Sequence, residues 1–313
     1  MEPIFIIGCQ RSGTTMLGSL LGAARGVIAI PEAQFVADLA PSDPQGREKL
    51  ADILARIERH YRFRIWNHDL GSERPAGEGT HADAVRWLVA HYAGAQGRTG
   101  ITHWIDHQPG HVREMERLAA HFPGLRAVHV VRDGRAVAAS ILPLDWGPNQ
   151  IHSAANFWAQ RVAMGLALRH YLGEGRWHQV RYEDLVTDPH RELSRICDFL
   201  GLQYDPAMAD GQGFAVPRFT RGQHALVGQR PDPTRLDGWR KVLMPRQVEI
   251  FEALVGPLLT YLGYRRDYDR ARLPSIPEKL RLTAADQWLA LANRRTFRKR
   301  VAEHGAYATE VPR

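Results

Sequence analysis

The sequence contains very little cysteine and no long apolar segment. Only Cys9 and Cys197 occur among 313 residues, which excludes a small fold held together by several disulfides. The longest apolar stretch without a charge, residues 253–264, is too short to cross a bilayer. The first residues also lack the basic segment of a secretory signal. These absences predict a cytoplasmic protein without a transmembrane segment.

Acidic residues are scarce near the carboxyl-terminal end. Residues 265–300 contain eleven basic and four acidic side chains, a difference of +7 that equals the net charge of the whole chain. Such a segment can bind nucleic acid or anionic lipid, although a solvated helix face is the simpler interpretation. No zinc-finger, helix-turn-helix or RNA-binding motif accompanies it, so no nucleic-acid partner is expected.

Strands and helices are predicted to alternate along most of the chain. Short apolar runs predict strands, and segments with helical spacing lie between them. The predicted strands are Ile4–Ile7, Val27–Ile30, Ile101–Ile105, Ala127–Val131 and Trp177–Tyr182. This alternation predicts an α/β fold of three layers, in which helices cover both faces of a mostly parallel central sheet.

A single domain is predicted for residues 1–270. A helical insertion interrupts it at about residues 41–100, where two helices flank a loop rich in glycine, proline and charge. A long loop is expected over Asp205–Asp237. Residues 271–313 are predicted to form a basic helical extension that packs on or near the domain, with its helix at about Pro277–Arg300.

The first predicted strand ends in a glycine-rich loop, Gly8-Cys-Gln-Arg-Ser-Gly-Thr-Thr15, that opens a helix. Backbone N–H groups and the helix dipole make this arrangement a binding site for phosphate. The loop has the glycines and final threonine of a Walker A motif, but Thr14 replaces the lysine and Arg11 supplies a cation instead. These features predict a P-loop NTPase-like fold.

The strand Ala127–Val131 is followed by Arg132 and then Asp133. An NTPase or kinase needs the Walker lysine and a carboxylate after an apolar strand to hold Mg²⁺. Arginine at this point suits a substrate phosphate better than a metal ion. A nucleotide or small-molecule kinase therefore remains only the alternative interpretation, and a non-catalytic binding module is a further one.

Three segments resemble the sulfotransferases that use 3′-phosphoadenosine-5′-phosphosulfate (PAPS), especially the bacterial and tyrosylprotein branch. They are Ile6-Ile-Gly-Cys-Gln-Arg-Ser-Gly-Thr-Thr-Met-Leu17, Val130-Val-Arg-Asp-Gly-Arg-Ala-Val-Ala-Ala-Ser140 and Val180-Arg-Tyr-Glu-Asp-Leu-Val-Thr-Asp-Pro189. The resemblance implies that Arg132 and Ser140 hold the 3′-phosphate and that Tyr182 lies near the adenine. It also implies that PAPS is the co-substrate and 3′-phosphoadenosine 5′-phosphate (PAP) the product.

The same resemblance assigns the 5′-phosphosulfate to the first loop. Ser12, Gly13, Thr14 and Thr15 would bind it with amides and hydroxyls, and Arg11 would stabilise charge on the leaving oxygen during an in-line displacement. No metal is expected in this step. A later segment resembles the part of the family that covers the donor, and there Arg235 and Trp239 would close over the 3′-phosphate and adenine.

Two residues are candidates for the general base that deprotonates the acceptor hydroxyl. Glu32 follows the second predicted strand, where the tyrosylprotein-like branch has its glutamate, and it is the first choice. His107 is the second; it falls where the family usually has a lysine, and Pro109 falls where the cytosolic branch has its histidine. The acceptor is expected to be a small molecule, a glycan or a lipid, and a homodimer is possible.

Overall fold

The computed structural model describes residues 1–72, 74–214 and 227–307, with side chains described up to residue 302. Among these residues, the strands are β1 Glu2–Gly8, β2 Val27–Ile30, β3 Glu48–Lys49, β4 Glu78–Gly79, β5 His103–Asp106, β6 Arg126–Val131 and β7 Trp177–Arg181. Five of them form a parallel sheet in the order β2-β5-β1-β6-β7. Each of these five overlaps a predicted strand.

Helices connect the strands and cover the sheet. They are α1 Thr14–Leu21, α2 Phe35–Asp38, α3 Leu50–Arg59, α4 Tyr61–Ile65, α5 His81–Ala95, α6 Met115–His121, α7 Gly134–Ile141, α8 Ile151–Leu172, α9 Tyr182–Thr187, α10 Pro189–Leu200, α11 Pro245–Tyr261 and α12 Ile276–Tyr307. The α/β fold of three layers with a parallel central sheet is thus confirmed.

The alternation of side chains along β1 divides the core into two layers. Ile4 and Ile6 point to one face and pack with the helices α1 and α10. Phe5 and Ile7 point to the other face, where Phe5 packs edge-on against Trp104. Successive strand residues point to opposite faces, and both faces are buried here, which explains why the strand is apolar throughout.

The insertion is part of the main core. Its apolar side chains on α3, α4 and α5, including Ile57, Phe63 and Leu88, belong to the same buried cluster as Ile28 and Ile30 of β2. The small antiparallel pair of β3 and β4 joins the residues just before α3 to those just before α5. The insertion therefore covers the β2 edge of the sheet, next to the ends of β2 and β5.

The carboxyl-terminal helix α12 lies across the domain. Asp286 accepts hydrogen bonds from the Ser153 hydroxyl (2.6 Å) and the Asn149 amide (2.9 Å). Arg300 binds Asp145 at 2.8 Å. The helix also contacts α4 of the insertion.

In its described residues, the segment predicted as a long loop, Asp205–Asp237, contains the 3₁₀ turns Pro206–Asp210 and Pro233–Arg235. A third turn, Gly238–Lys241, follows it. Residues 215–226 lie outside the described part of the chain. Within the described part, no helix has both the length and the apolar character needed to span a membrane.

Candidate active site

The candidate site residues meet at one edge of the sheet because each follows the carboxyl end of a parallel strand. Arg11 lies in the loop after β1, Glu32 follows β2 and His107 follows β5. Arg132 follows β6 and Tyr182 follows β7. Open parallel sheets bind ligands at this edge. The sheet order brings the β1 loop between the segments that carry His107 and Arg132.

Backbone geometry fixes the first loop. Gly8 has φ 152°, and a Cβ there would lie 2.5 Å from the carbonyl oxygen of Val130. Gly13 has φ 97°, and a Cβ there would lie 2.5 Å from the Tyr182 ring. Arg11 adopts a left-handed conformation with φ 71°, which is uncommon for a residue other than glycine. The loop therefore has a specific shape next to Tyr182.

Polar groups at the start of α1 are buried. Ser12, Thr14 and Thr15 are each at most 5% exposed. The Ser12 hydroxyl has no hydrogen-bond partner among the described residues. A buried hydroxyl without a partner is costly, and a bound anion in the loop would supply an acceptor. The unpartnered Ser12 hydroxyl therefore suits the loop to bind a phosphate or sulfate group.

Arg11 and Arg132 connect the first loop to the end of β6. The Arg11 Nε donates to the Ser140 hydroxyl at 3.0 Å. The Arg132 Nη1 donates to the carbonyl oxygen of Arg11 at 3.0 Å, and its guanidinium lies 4.2 Å from the centroid of the Tyr182 ring. The structure thus brings these four predicted residues together, although Ser140 contacts Arg11 rather than Arg132.

The environment of Arg11 is crowded with charge. Burial, followed by repulsion from Arg132, lowers the pKa of Arg11, and attraction to Glu32 acts in the opposite direction. The guanidinium still remains charged at neutral pH, since the ordinary pKa of arginine lies far above it. A partly buried cation of this kind favours the binding of an anion beside it.

A further arginine, Arg161 of α8, also reaches the first loop. Its Nε donates to the Gln10 side-chain oxygen at 3.0 Å, and burial lowers its pKa. Sequence reasoning missed this residue, because it lies 151 positions from Gln10 in the chain. The cationic lining of the loop therefore includes a side chain outside all three motifs.

The turn after β6 is held from several sides. The backbone amide of Asp133 donates to Glu183 at 2.9 Å, and the Trp158 indole donates to the carbonyl oxygen of Arg132 at 3.0 Å. The buried Arg135 pairs with Asp133 (2.7 Å) and Glu252 (2.6 Å). These contacts position Arg132, and they give Asp133 and Arg135 structural partners.

Glu32 is bound by an arginine of the insertion. Its Oε2 lies 3.2 Å from the Nη1 of Arg62, and its side chain is 19% exposed. The Arg62 Nε also donates to the Gln34 side chain at 2.7 Å. Burial alone would lower the pKa of Arg62, but the interactions with Glu32, Tyr61 and Asp106 together outweigh it and raise the pKa. Sequence reasoning missed Arg62 because nothing local marks it as a partner of Glu32.

His107 is buried behind α1. Its ring lies against Gly18, where a Cβ would be 2.9 Å from the imidazole Cδ2, and edge-on to Phe214. Neither ring nitrogen has a hydrogen-bond partner among the described residues, and burial lowers the pKa of the imidazole. The preceding Asp106 instead binds His111 at 2.8 Å and the Ala33 amide at 3.4 Å.

The two residues predicted to cover the donor have different environments. Arg235 is exposed at the end of a 3₁₀ turn that contacts α9, the helix that begins with Tyr182. Trp239 is 4% exposed and packs in the core beside α7 and α11, with the Arg135 guanidinium 4.4 Å from its ring centroid. Part of the predicted covering segment lies in residues 215–226, outside the described chain.

The geometry defines a P-loop-like α/β protein with two adjoining cationic sites at the carboxyl edge of its sheet. In the described ranges, no three histidine, cysteine, aspartate or glutamate side chains come together as metal ligands. A sequence model of the sulfotransferase family matches residues 3–206. The chain therefore belongs to the sulfotransferase family.

Known relatives and a solved structure agree with this assignment. The chain is 27% identical to the nodulation protein NoeE of Sinorhizobium fredii, covering 88% of this chain and 69% of that protein. It is 23% identical to protein-tyrosine sulfotransferase A of Caenorhabditis elegans, covering 83% and 67%. The sulfotransferase domain of the Synechococcus PCC 7002 olefin synthase has the same fold, with a TM-score of 0.59, 24% identity and 84% and 95% coverage.

Proposed function

We propose that this sulfotransferase transfers a sulfuryl group from PAPS to a hydroxyl group of its acceptor. One observation carries the proposal. The Arg132 guanidinium bonds the backbone of Arg11, so two cationic sites adjoin at one edge of the sheet. PAPS has an anionic group at each end of its nucleoside and needs two such sites. The orphaned hydroxyl of Ser12 indicates that the first of them is built for an anion.

Each end of the donor has its own group of residues. The amides of the loop, together with Ser12, Thr14 and Thr15, would bind the 5′-phosphosulfate at the start of α1. Arg132 and Ser140 would bind the 3′-phosphate, and Tyr182 would contact the adenine. Binding at the second site would make Ser140 exchange its contact with Arg11 for one with the donor.

Arg11 and Glu32 would carry the chemistry. When bound, the donor supplies an activated sulfuryl group whose sulfur–oxygen bond to the phosphate breaks as a bond to the acceptor oxygen forms. Glu32 would accept the proton of the acceptor hydroxyl. Arg11 would stabilise the negative charge that grows on the phosphate oxygen, because its cationic side chain belongs to the loop that would bind this end of the donor.

Glu32 suits the role of base better than His107. Glu32 remains partly exposed, and its carboxylate is oriented by the Arg62 guanidinium at 3.2 Å. His107 is 1% exposed and lies between Gly18 and Phe214, where an acceptor hydroxyl would have to displace packed side chains. We therefore assign catalysis to Glu32 and a packing role to His107.

The acceptor is proposed to be the hydroxyl of a small molecule, carbohydrate or lipid that approaches from the insertion. Glu32 forms an ion pair with Arg62 of α4. In the same helix, the Tyr61 hydroxyl donates a hydrogen bond to the Gln34 side chain. These polar side chains are suited to hydrogen-bond a hydroxylated acceptor.

Calorimetric titration with PAP tests the donor site. The parent protein is expected to bind PAP, and Arg132→Ala to bind it about tenfold more weakly or worse, since a charge-assisted phosphate contact is lost. Arg169→Ala is the control, because this exposed arginine forms its ion pair with the exposed Glu174, outside the proposed donor site. Failure of the parent protein to bind PAP, or equal affinity of the two variants, contradicts the proposal.

A further inference from the structure

The helix α12 presents a continuous outward face that the proposed reaction does not use. Its apolar residues Ile276, Leu280, Trp288 and Leu291 are 63–79% exposed. They are spaced by four, eight and three positions, so they lie on one side of the helix. Four large apolar side chains aligned on one exposed side are unusual for a protein surface and indicate an interaction site.

The opposite side of α12 is attached to the domain. Asp286 binds Ser153 and Asn149, and Asn293 donates to the Asn149 side chain at 2.7 Å. Arg300 binds Asp145 at 2.8 Å. These contacts lie along the helix over four turns, so they fix its rotation. The apolar side chains therefore cannot turn inward without breaking them.

Charge on the outward face is positive. Arg281, Arg294, Arg295 and Arg298 are exposed there. The acidic residues in the described part of this helix are both turned toward the domain, Asp286 as above and Glu278 in a pair with Arg246 at 2.7 Å. Apolar side chains thus occupy this face from Ile276 to Leu291, and three of the four arginines follow them at residues 294–298, with no outward acidic side chain between residues 276 and 302.

We propose that this outward face of α12 binds the surface of a membrane that contains anionic lipid. Leucine, isoleucine and tryptophan side chains on one side of a helix insert shallowly between headgroups, and arginines beside them bind lipid phosphates. Tryptophan in particular prefers this interface. The proposal is independent of the proposed reaction and concerns only where the enzyme is held.

Co-sedimentation with lipid vesicles tests the proposal. The full-length protein is expected to sediment with vesicles of phosphatidylcholine and phosphatidylglycerol, and to remain in solution with phosphatidylcholine alone. The Arg294→Glu/Arg298→Glu variant is expected to lose about tenfold or more in affinity for the mixed vesicles. The control, Arg25→Glu/Arg169→Glu, makes the same change of net charge on other exposed surfaces and should bind like the parent.

A second variant separates insertion from simple charge attraction. Trp288→Ala keeps every charge, and it should weaken vesicle binding severalfold because the indole no longer enters the headgroup layer. Circular dichroism confirms that each variant is folded. Equal binding by the parent and the Arg294→Glu/Arg298→Glu variant overturns the proposal. Two further outcomes also overturn it, and in both the parent protein does not bind vesicles. In one, light scattering shows a dimer that the Trp288→Ala variant dissociates. In the other, the protein binds DNA.

Discussion

Glu32 and Arg62 form an ion pair that joins the end of a core strand to a helix of the insertion, with 3.2 Å between the carboxylate and the guanidinium. Both side chains are less than a fifth exposed, so the pair is shielded from solvent and from salt. The tryptophan that follows α4 adds a second link, since the Trp66 indole lies 3.4 Å from the carbonyl oxygen of Glu32. The insertion thus helps to position the proposed base.

Glu32→Gln is expected to reduce kcat by about a hundredfold or more, because an amide cannot accept the proton of the acceptor. Titration with PAP should give the parent affinity, since Glu32 is not part of the donor site. The rate is measured by transfer of ³⁵S from labelled PAPS to a panel of hydroxylated acceptors. His107→Gln serves as the comparison. If this variant is folded and loses more kcat than Glu32→Gln, His107 is the base and Glu32 is not.

Arg62→Met is expected to lower kcat without changing the affinity for PAP. The methionine fills a similar volume, but it leaves the carboxylate of Glu32 without its fixed partner. Arg62→Lys should recover part of the rate, because a point charge replaces the guanidinium with poorer geometry. Arg56→Met is the matched control, because it breaks a surface ion pair, that between Arg56 and Glu48. Equal kcat values for Arg62→Met and the parent would refute this positioning role.

Gly13→Ala is expected to abolish measurable PAP binding. The new Cβ would lie 2.5 Å from the Tyr182 ring, and φ 97° is strained for alanine, so the loop and the ring must separate. Gly97→Ala is the control for strain alone, because Gly97 also has a positive φ, 67°, but no atom within 4 Å of its Cβ position. Titration and thermal unfolding of both variants distinguish the clash from the strain. Retention of PAP binding by Gly13→Ala would refute close contact between loop and ring.

Acid is expected to destabilise the fold through buried neutral histidines. Burial lowers the pKa of His129 to about 4 and that of His81 to about 4. Between their unfolded pKa of about 6.5 and pH 4 only the unfolded chain takes up these protons, so the free energy of unfolding falls as the pH falls. Each histidine contributes about 2 kcal/mol of this loss by pH 5.

Denaturant unfolding at about pH 7.5 and pH 5 measures this dependence. His129→Gln should reduce the difference between the two free energies by about 2 kcal/mol, because glutamine does not titrate. His190→Gln is the control, since this histidine lies at the surface, where its imidazole bonds the Tyr204 hydroxyl. An unchanged difference in His129→Gln would contradict the assignment of the loss to His129.

The central sheet was predictable because its strands are short apolar runs between turn signals. Ile4–Ile7 and Ala127–Val131 differ from the observed strands by only one or two residues at an end. The exposed pair of β3 and β4 has two residues in each strand, and no apolar pattern marks it. Helix α9 was not predicted, because it begins at Tyr182, the residue at which the predicted strand Trp177–Tyr182 ends.

The residues of the proposed donor site could be named from the sequence, whereas the surroundings of the proposed base could not. Arg11, Arg132 and Ser140 lie in motifs whose spacing is fixed along the chain, and the sheet then brings the motifs together. Arg62 and Arg161 reach the site from helices with no motif of their own. Their role depends on how those helices pack on the sheet, which a single sequence does not specify.

The left-handed backbone at Arg11, whose carbonyl oxygen the Arg132 side chain holds, has an energetic consequence. A mobile loop loses conformational entropy when it closes around a ligand. The β1 loop has already lost this entropy during folding. Affinity at the β1 loop should therefore depend on Arg132 even for a ligand that carries only one anionic end, such as adenosine 5′-phosphosulfate.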